Sequence, residues 1–355
     1  MDVSIIGANG STGKHIASRI LLERLLLPTD RLQLVGRRDG SSGNALYGFR
    51  QDLKDAFAEH CPIIDIALQP EEVVADIIVM AAGKTIQAHS DPGKAPPSRD
   101  ELAIYNQQIA MPYADALVQY GHGHEVVIVV TNPVELIVEI FSQRYDRHRI
   151  VGMGAYQDSL RFRREVARSI NVSREAVRAM VLGEHGDGIV PLWSSVTIQG
   201  FSDNETARAI SNVRSSTSSR EFPGTLIRMR DEIIKIAQNG DIAEAFRRFD
   251  TLPPDVRIMV GPFLTLFAGA KTDIATANAT VDLFKCMLSG KDTVIAAQVS
   301  LVNEFLQVKG PIGAPVVISP KGWDAVYPTT LSDGEQQLFL QSAQSIQEKI
   351  NRWIV

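Results

Sequence analysis

The sequence predicts an α/β fold in which a doubly wound parallel sheet is followed by an α+β domain. Three observations support this fold class. Short apolar runs alternate with helical patterns up to about residue 150, a glycine-rich turn follows the first run, and the alternation then ends. At 355 residues the chain exceeds the usual size of one hydrophobic core. We therefore expect two domains, residues 1–147 and 148–355.

The first domain is predicted from apolar runs of strand length. They show little alternation between apolar and polar residues, which is typical of strands buried on both faces of a parallel sheet. Stretches with helical spacing separate them, as βαβ units require. The predicted strands are 3–6, 32–35, 77–80 and 126–130. Because sites in such sheets lie at the carboxyl ends of the strands, we expect the residues after each strand to carry the chemistry.

The second domain is predicted to mix helices and strands. A charged helical pattern covers 158–167, strands are expected near 179–182 and 194–199, and a polar linker at 215–220 precedes a long helical region. Ser332 and Glu335 have capping-box spacing, which predicts the start of a terminal helix. Its predicted buried face consists of Phe339, Ala343, Ile346, Ile350 and Trp353.

Composition and charge exclude several classes of partner. Charged residues make up 22% and the net charge is −5, so we expect neither nucleic acid nor a membrane as a partner. Cys61 and Cys286 lack the spacing of a thiolate metal site, so we expect no metal and a reducing, cytoplasmic location. No secretory signal pattern precedes the first strand. The apolar stretch 258–270 is too short to span a bilayer and is predicted to be a buried segment.

A glycine-rich turn joins the first predicted strand to a helix. Its spacing is G-x-x-G-x-x-G, and its candidate binding residues are Gly7, Asn9, Gly10, Ser11, Thr12 and Gly13. Glycines at such a turn let backbone N–H groups approach a pyrophosphate at the N-terminus of the helix. The turn therefore predicts a Rossmann-type dinucleotide site, and a glycine turn without a ligand is the alternative.

The end of the second predicted strand bears on which dinucleotide binds. Gly36 stands where proteins that prefer NAD commonly carry an acid for the ribose 2′-OH, and Arg37 and Arg38 follow it. Without that acid, either arginine can pair with a 2′-phosphate through charge-assisted hydrogen bonds. We therefore expect NADP ahead of NAD. The alternative interpretation of the two arginines is a solvated turn.

Three motifs in the middle of the chain carry a resemblance to a known family. They are Thr131-Asn132-Pro133-Val134, Asp158-Ser159-Leu160-Arg161-Phe162-Arg163 and Gly183-Glu184-His185-Gly186-Asp187. Their order and separation resemble those of the lactate/malate dehydrogenases, over nearly the full length of the chain. Gly36 with Arg37, and the segment 48–53, look most like members that use NADP. The resemblance implies an enzyme that transfers a hydride between a nicotinamide dinucleotide and a small 2-hydroxy/2-oxo acid.

The resemblance also implies a role for the polar residues of these motifs. His185 would accept the hydroxyl proton as hydride leaves the adjacent carbon, and return it in the reverse direction. Asp158 would pair with the other imidazole nitrogen and stabilise the imidazolium. Arg161 would bind the substrate carboxylate with a two-pronged hydrogen bond. Taken without their neighbours, Asp158 and Arg161 would be interpreted as a simple ion pair at a helix start.

Further positions match the family around the predicted site. Asn132 would orient the substrate and the nicotinamide, and Thr272 would line the substrate pocket. Arg99 would bind the substrate and polarise its reacting carbonyl when a mobile loop, at about residues 84–99, closes and excludes water.

Departures from the family pattern concern the substrate. The stretch 83–99 is longer than the family's loop, and Gly93, next to Lys94, stands where malate-specific members carry a second arginine. Lys94 or Lys84 would supply a cation there, without the planar fork of arginine. The segment 241–267 is also enlarged and rebuilds part of the substrate wall. Malate/oxaloacetate is expected first, and lactate or another 2-hydroxy acid is the alternative.

Other classes of protein fit the sequence less well. A nucleotide-dependent glycosidase would need clustered cysteine and histidine ligands, but Cys61, next to His60, is far from the other motifs, and Cys286 has no histidine nearby. A short-chain reductase or epimerase would need Tyr-x-x-x-Lys, which the sequence does not contain. A catalytically silent nucleotide-binding protein of the same fold stays open, although the joint presence of the polar residues argues against it. By analogy with such enzymes we expect a homodimer or homotetramer.

Overall fold

A parallel sheet forms the N-terminal part of the protein. The structure is a computed structural model that describes residues 1–39, 41–85, 99–215, 217–291 and 293–354, except the side chains of residues 41, 42 and 99. The sheet order is β3-β2-β1-β4-β5-β6, and every neighbouring pair in it is parallel. This confirms the Rossmann-type arrangement. The elements are β1 (Asp2–Ile6), α1 (Ser11–Leu22), β2 (Arg31–Val35), α2 (Ser41–Ala56), β3 (Ile63–Ala67), β4 (Ile77–Met80), α3 (Arg99–Tyr120), β5 (Val126–Val129), α4 (Val134–Ser142) and β6 (Ile150–Gly152).

Helices cover both faces of this sheet, as the continuous apolar strands predict. Within β1, Val3 and Ile5 belong to the same buried cluster as Ile16 of α1. Ile6 points to the opposite face and belongs to a second cluster with Ala114 of α3. With both faces buried, the carboxyl ends of the strands are the part of the sheet where a ligand site can form.

The second part of the chain adds antiparallel strands and long helices, which confirms its α+β character. The sheet continues from β6 through β11, β12, β8 and β9, and β13 pairs with β12. The elements are α5 (Gly154–Ile170), β7 (Val177–Arg178), β8 (Val181–Gly183), β9 (Ile189–Pro191), β10 (Thr197–Ile198), α6 (Asp203–Val213), α7 (Phe222–Gln238), α8 (Ile242–Asp250), α9 (Pro254–Phe267), α10 (Asp273–Leu288), β11 (Thr293–Val302), β12 (Lys309–Ser319), β13 (Gly322–Val326) and α11 (Asp333–Trp353).

Several of these strands are absent from the sequence prediction. β6 has only three residues, and β3 is partly exposed, so neither forms a continuous apolar run. In β12, Pro311, Gly313 and Pro315 interrupt the apolar pattern and resemble a loop. Long-range pairing stabilises this strand, since β12 pairs with β11 from Lys309 to Ile318.

Two predicted segments differ in detail from the structure. The strand expected at 194–199 was wrong for most of its length: a 3₁₀ turn occupies Trp193–Ser195, and the strand is the two-residue β10. The segment 258–270 is buried at Ile258 and Leu264, within α9, but residues 268–270 lie exposed beyond the helix end. Among the described residues, no helix is both long and apolar enough to cross a bilayer.

The terminal helix α11 begins as predicted. The backbone N–H of Ser332 donates to Glu335 Oε2 at 2.9 Å, which is one half of a capping box. The predicted apolar face is buried at Phe339, Ile346 and Ile350 and docks the helix on the body of the protein.

Candidate active site

The glycine turn packs closely against the end of β4. The N–H of Gly7 donates to Val35 O at 2.9 Å. Gly7 has a φ of +88°, and a Cβ there would lie 2.7 Å from the Cα of Ala82. A Cβ on Gly13 would lie 2.8 Å from the Cα of Ala8. Both positions therefore require glycine. The turn leads directly into α1, and the first N–H groups of a helix have no partner within it, so they are groups of the kind that can bind an anion.

The remaining residues of the turn have different surroundings. Gly10 is the N-cap of α1 and donates its N–H to Gly7 O at 2.9 Å. Asn9 is half-buried and Ser11 is exposed. The hydroxyl of Thr12 donates to Asp273 Oδ1 at 2.8 Å, at the first residue of α10. The turn is thus tied by a side-chain hydrogen bond to a helix of the second half of the chain.

The residues after β2 lie at the same edge of the sheet. Gly36 is buried and its N–H donates to Ala67 O at 3.0 Å. Arg37 and Arg38 are exposed. The guanidinium of Arg38 lies 2.7 Å from the side-chain amide of Gln69, whose oxygen can accept from it. Both cations are accessible to an anionic group at the carboxyl end of β2.

Three predicted residues form one hydrogen-bonded group. His185 Nδ1 lies 2.7 Å from Asp158 Oδ2, and Arg161 Nη1 donates to Asp158 Oδ1 at 2.7 Å. Asp158 and Arg161 are one turn apart in α5, while His185 follows β8. Gly154, at the start of α5, allows the close approach, since a Cβ there would lie 2.6 Å from His185 Cγ.

Asp158 contacts both His185 and Arg161, and the charges in this group shift the pKa values of Asp158 and His185. Burial alone would lower the pKa of His185, but the Asp158 carboxylate outweighs it and raises the pKa above the ordinary 6.5. Burial alone would raise the pKa of Asp158, but His185 and Arg161 outweigh it and the pKa falls below the ordinary 3.8. The group can therefore hold a proton on the imidazole and release it when the local charge changes.

Glu135 contacts the turn that carries His185, and it was not predicted from the sequence. It is 4% exposed, and its Oε1 accepts the backbone N–H of His185 at 2.7 Å and the amide of Gln298 at 3.3 Å. Burial raises the pKa of Glu135, and the nearby Glu184 carboxylate adds to the shift. The sequence does contain a signal that could have identified this residue, because Glu135 is an acid within the apolar run 134–141, immediately after Asn132 and Pro133.

Asn132 follows β5, as predicted, and its backbone is held by a residue that the sequence reasoning did not single out. Asn106 Nδ2 donates to Asn132 O at 2.6 Å, and Asn106 Oδ1 accepts the N–H of Lys84 at 2.7 Å. The Asn132–Pro133 peptide is cis. Asn106 thereby joins the end of β5 to the start of the predicted mobile loop.

One cavity connects these residues. His185, Asp158, Arg161, Asn132 and Thr272 all line it, together with Lys84 and apolar residues of α9. Thr272 is half-buried at the N-cap of α10. α3 begins at Arg99, but the Arg99 side chain and residues 86–98, including Gly93 and Lys94, lie outside the described residues. Within the part of the chain that the structure describes, no cluster of His, Cys, Asp and Glu suits a metal ion.

The fold and the site together are those of a nicotinamide-dinucleotide-dependent dehydrogenase. Residues 1–152 match the model for the NAD binding domain of lactate/malate dehydrogenases, and residues 157–240 match the model for their alpha/beta C-terminal domain. Together these matches cover about two thirds of the chain. The chain belongs to the lactate/malate dehydrogenase family.

Relatives with different substrates in their names are similar to this chain over almost its whole length. An L-2-hydroxycarboxylate dehydrogenase (NAD(P)(+)) of Methanocaldococcus jannaschii is 27% identical and covers 98% of this chain and 97% of its own. An L-lactate dehydrogenase of Latilactobacillus sakei is 24% identical, covering 98% and 93%. A crystal structure of malate dehydrogenase from Cryptosporidium parvum, 23% identical, matches with a TM-score of 0.73 over 99% of this chain and 98% of that chain, which shows the shared fold.

Proposed function

We propose that this protein is an NADP-preferring 2-hydroxy acid dehydrogenase in which His185 carries the proton. The observation that most directly supports the role of His185 is the 2.7 Å contact between its Nδ1 and Asp158 Oδ2. It occupies one imidazole nitrogen and leaves Nε2 for a substrate in the cavity that His185 lines. The turn at Gly7 and Gly13, closed to any larger residue, fits a dinucleotide.

The proposed mechanism assigns proton transfer to the buried pair. When bound, the nicotinamide supplies or accepts the hydride. In reduction, the His185 imidazolium donates its Nε2 proton to the substrate oxygen, which becomes the hydroxyl. In oxidation, the neutral imidazole takes that proton back, and Asp158 stabilises the resulting cation. Because the pKa of His185 is raised, reduction is supported over a wider pH range than with an ordinary histidine.

The other cavity residues are proposed to position the substrate. Arg161 binds the substrate carboxylate, with Asp158 already fixing one of its nitrogens at 2.7 Å. Asn132 orients the substrate and the nicotinamide from the end of β5, and Thr272 lines the cavity. Arg99 is proposed, from the resemblance alone, to polarise the carbonyl.

The cofactor preference rests on the end of β2. Gly36 offers no carboxylate to a ribose, while the exposed Arg37 and Arg38 can pair with a 2′-phosphate. NAD is the alternative. We further propose residues 1–147 as the dinucleotide-binding domain and 148–355 as the substrate domain, in a cytoplasmic homodimer or homotetramer.

The substrate preference has two candidates. The resemblance to NADP-using malate dehydrogenases favours malate/oxaloacetate, and relatives named for malate, lactate and 2-hydroxycarboxylates are all similar to this chain. Lactate or another 2-hydroxy acid is the alternative, and the apolar residues that α9 contributes to the cavity support a member of that second group.

Substitution of the proposed proton carrier tests the function. We expect His185→Asn to reduce the turnover of 2-oxo acids by about 10²–10⁴-fold, the usual contribution of a general acid–base group. The affinity for NADPH, followed by nucleotide fluorescence, should stay nearly unchanged. His124→Asn is the matched control, since His124 is exposed just before β5, at the opposite end of that strand from the site. Near-normal turnover of the His185 variant would refute the assignment.

A further inference from the structure

The substrate cavity has an apolar wall that the proposed proton transfer does not require. Helix α9 supplies it through Ile258, Met259, Pro262, Phe263 and Leu266. Ile258 is 3% and Met259 4% exposed. Burial of apolar surface against such side chains is favourable, whereas burial of a charge without a partner is costly. The wall is therefore suited to a hydrocarbon group of the substrate.

A buried ion pair holds this wall beside the arginine proposed to bind the substrate carboxylate. Arg257 Nε, in α9, lies 2.6 Å from Glu165 Oε2, in α5, and the two side chains are 6% and 1% exposed. Arg257 Nη2 also donates to Glu165 O at 3.2 Å. Glu165 stands four residues after Arg161, on the same face of α5. Because both helices line one cavity, a carboxylate on Arg161 places the rest of the substrate near α9.

The described part of the cavity offers weak partners to a second carboxylate. Arg161 is the single arginine among the described lining residues. Lys84 and Lys271 also line the cavity, but both are exposed, and Nζ of Lys84 lies 3.6 Å from the centre of the Tyr105 ring. Asp273 contributes a carboxylate to the same lining and would repel an anion. Among the described lining residues, a dicarboxylate would therefore find no second arginine fork to offset the hydration lost at its distal end.

We infer that the preferred substrate is a monocarboxylic 2-hydroxy/2-oxo acid whose side chain is uncharged and branched or aromatic. Its carboxylate binds Arg161, its oxygen faces His185, and its side chain packs against α9. This inference rests on the proposed function, because Arg161 must hold the carboxylate for the side chain to meet the wall.

A panel of four 2-oxo acids tests the inference on the intact protein. Initial rates are measured with NADPH and with NADH for pyruvate, oxaloacetate, 4-methyl-2-oxopentanoate and phenylpyruvate. We expect kcat/KM for 4-methyl-2-oxopentanoate or phenylpyruvate to exceed the values for pyruvate and oxaloacetate by about tenfold or more. Added hydrocarbon that packs in an apolar pocket increases kcat/KM by about this factor. Preference for oxaloacetate or pyruvate overturns this inference and leaves the proposed function standing. Turnover of none of the four overturns the proposed function itself.

A charge placed in the wall gives an independent test. Leu266→Arg is expected to raise the ratio of kcat/KM for oxaloacetate to that for 4-methyl-2-oxopentanoate by about tenfold or more. The control is Leu340→Arg, since Leu340 is 42% exposed on α11 and is not among the described lining residues. Thermal unfolding checks that both variants are folded. An unchanged ratio in a folded Leu266 variant would contradict the position assigned to the substrate side chain.

Discussion

Removal of the carboxylate behind His185 should change both the rate of the reaction and its pH dependence. Opposite unit charges about 4 Å apart interact by about 4 kcal/mol at an effective dielectric constant of about 20. Asn at position 158 keeps an oxygen that can accept from Nδ1, 2.7 Å away in the structure. We therefore expect Asp158→Asn to lose about 3–4 kcal/mol of imidazolium stabilisation, which corresponds to about 10²–10³-fold in kcat/KM.

The direction of the pH shift follows from the influences that remain. Reduction needs the imidazolium, so its rate is full below the His185 pKa and falls as pH rises through it. In the variant, burial and Arg161 still lower the pKa of His185 and Glu135 still raises it, but the larger raising influence of Asp158 is lost. The falling limb of kcat/KM should therefore move to lower pH in steady-state assays. Asp187→Asn is the control, because Asp187 pairs with Arg230 Nη1 at 3.0 Å. A limb that stays in place, with a rate within threefold of the unmodified protein, would refute the reasoning.

Other parts of the site give predictions of the same kind. Arg37→Asp should shift the preference from NADPH toward NADH, measured as the ratio of kcat/KM for the two cofactors, and an unchanged ratio would exclude the 2′-phosphate contact. Gly13→Ala should abolish cofactor binding in fluorescence titrations, because the added Cβ would lie 2.8 Å from the Cα of Ala8; normal affinity would contradict the tight turn. Glu135→Gln keeps an oxygen that accepts the His185 N–H, and its side-chain amide is neutral at any pH. Since the pKa of Glu135 is raised in the folded state, the unmodified protein loses stability as pH rises, and the variant does not share this loss. The melting temperature of the variant relative to the unmodified protein should therefore be higher at pH 8 than at pH 5. A gain that is equal at both pH values would show that Glu135 is not responsible.

The sequence predicted the parts of the protein whose signals are local. The apolar run of β1 and the glycines after it identify a strand, a turn and a helix start within a short segment. The resemblance supplied His185, Asp158 and Arg161, and the structure brings these three side chains together. A capping box likewise marked the start of α11 correctly.

The missed features depend on contacts between distant parts of the chain. Glu135 contacts the His185 backbone across 50 positions in sequence, and Gln298 reaches Glu135 across 163. No spacing rule within a short window reports such pairs. β12 shows the same effect for secondary structure, because its glycines and prolines suggest a loop until β11 is paired beside it.

The ion pair between Arg257 and Glu165 holds α9 in place, whereas other residues of the same helix face the substrate cavity. The helix is fixed at one end by groups with no part in the reaction, so residues farther along it can be exchanged without displacing the helix. A single scaffold of this kind can be redesigned for new acids by replacing side chains at positions such as Met259 and Leu266, while the machinery that moves the proton is left intact.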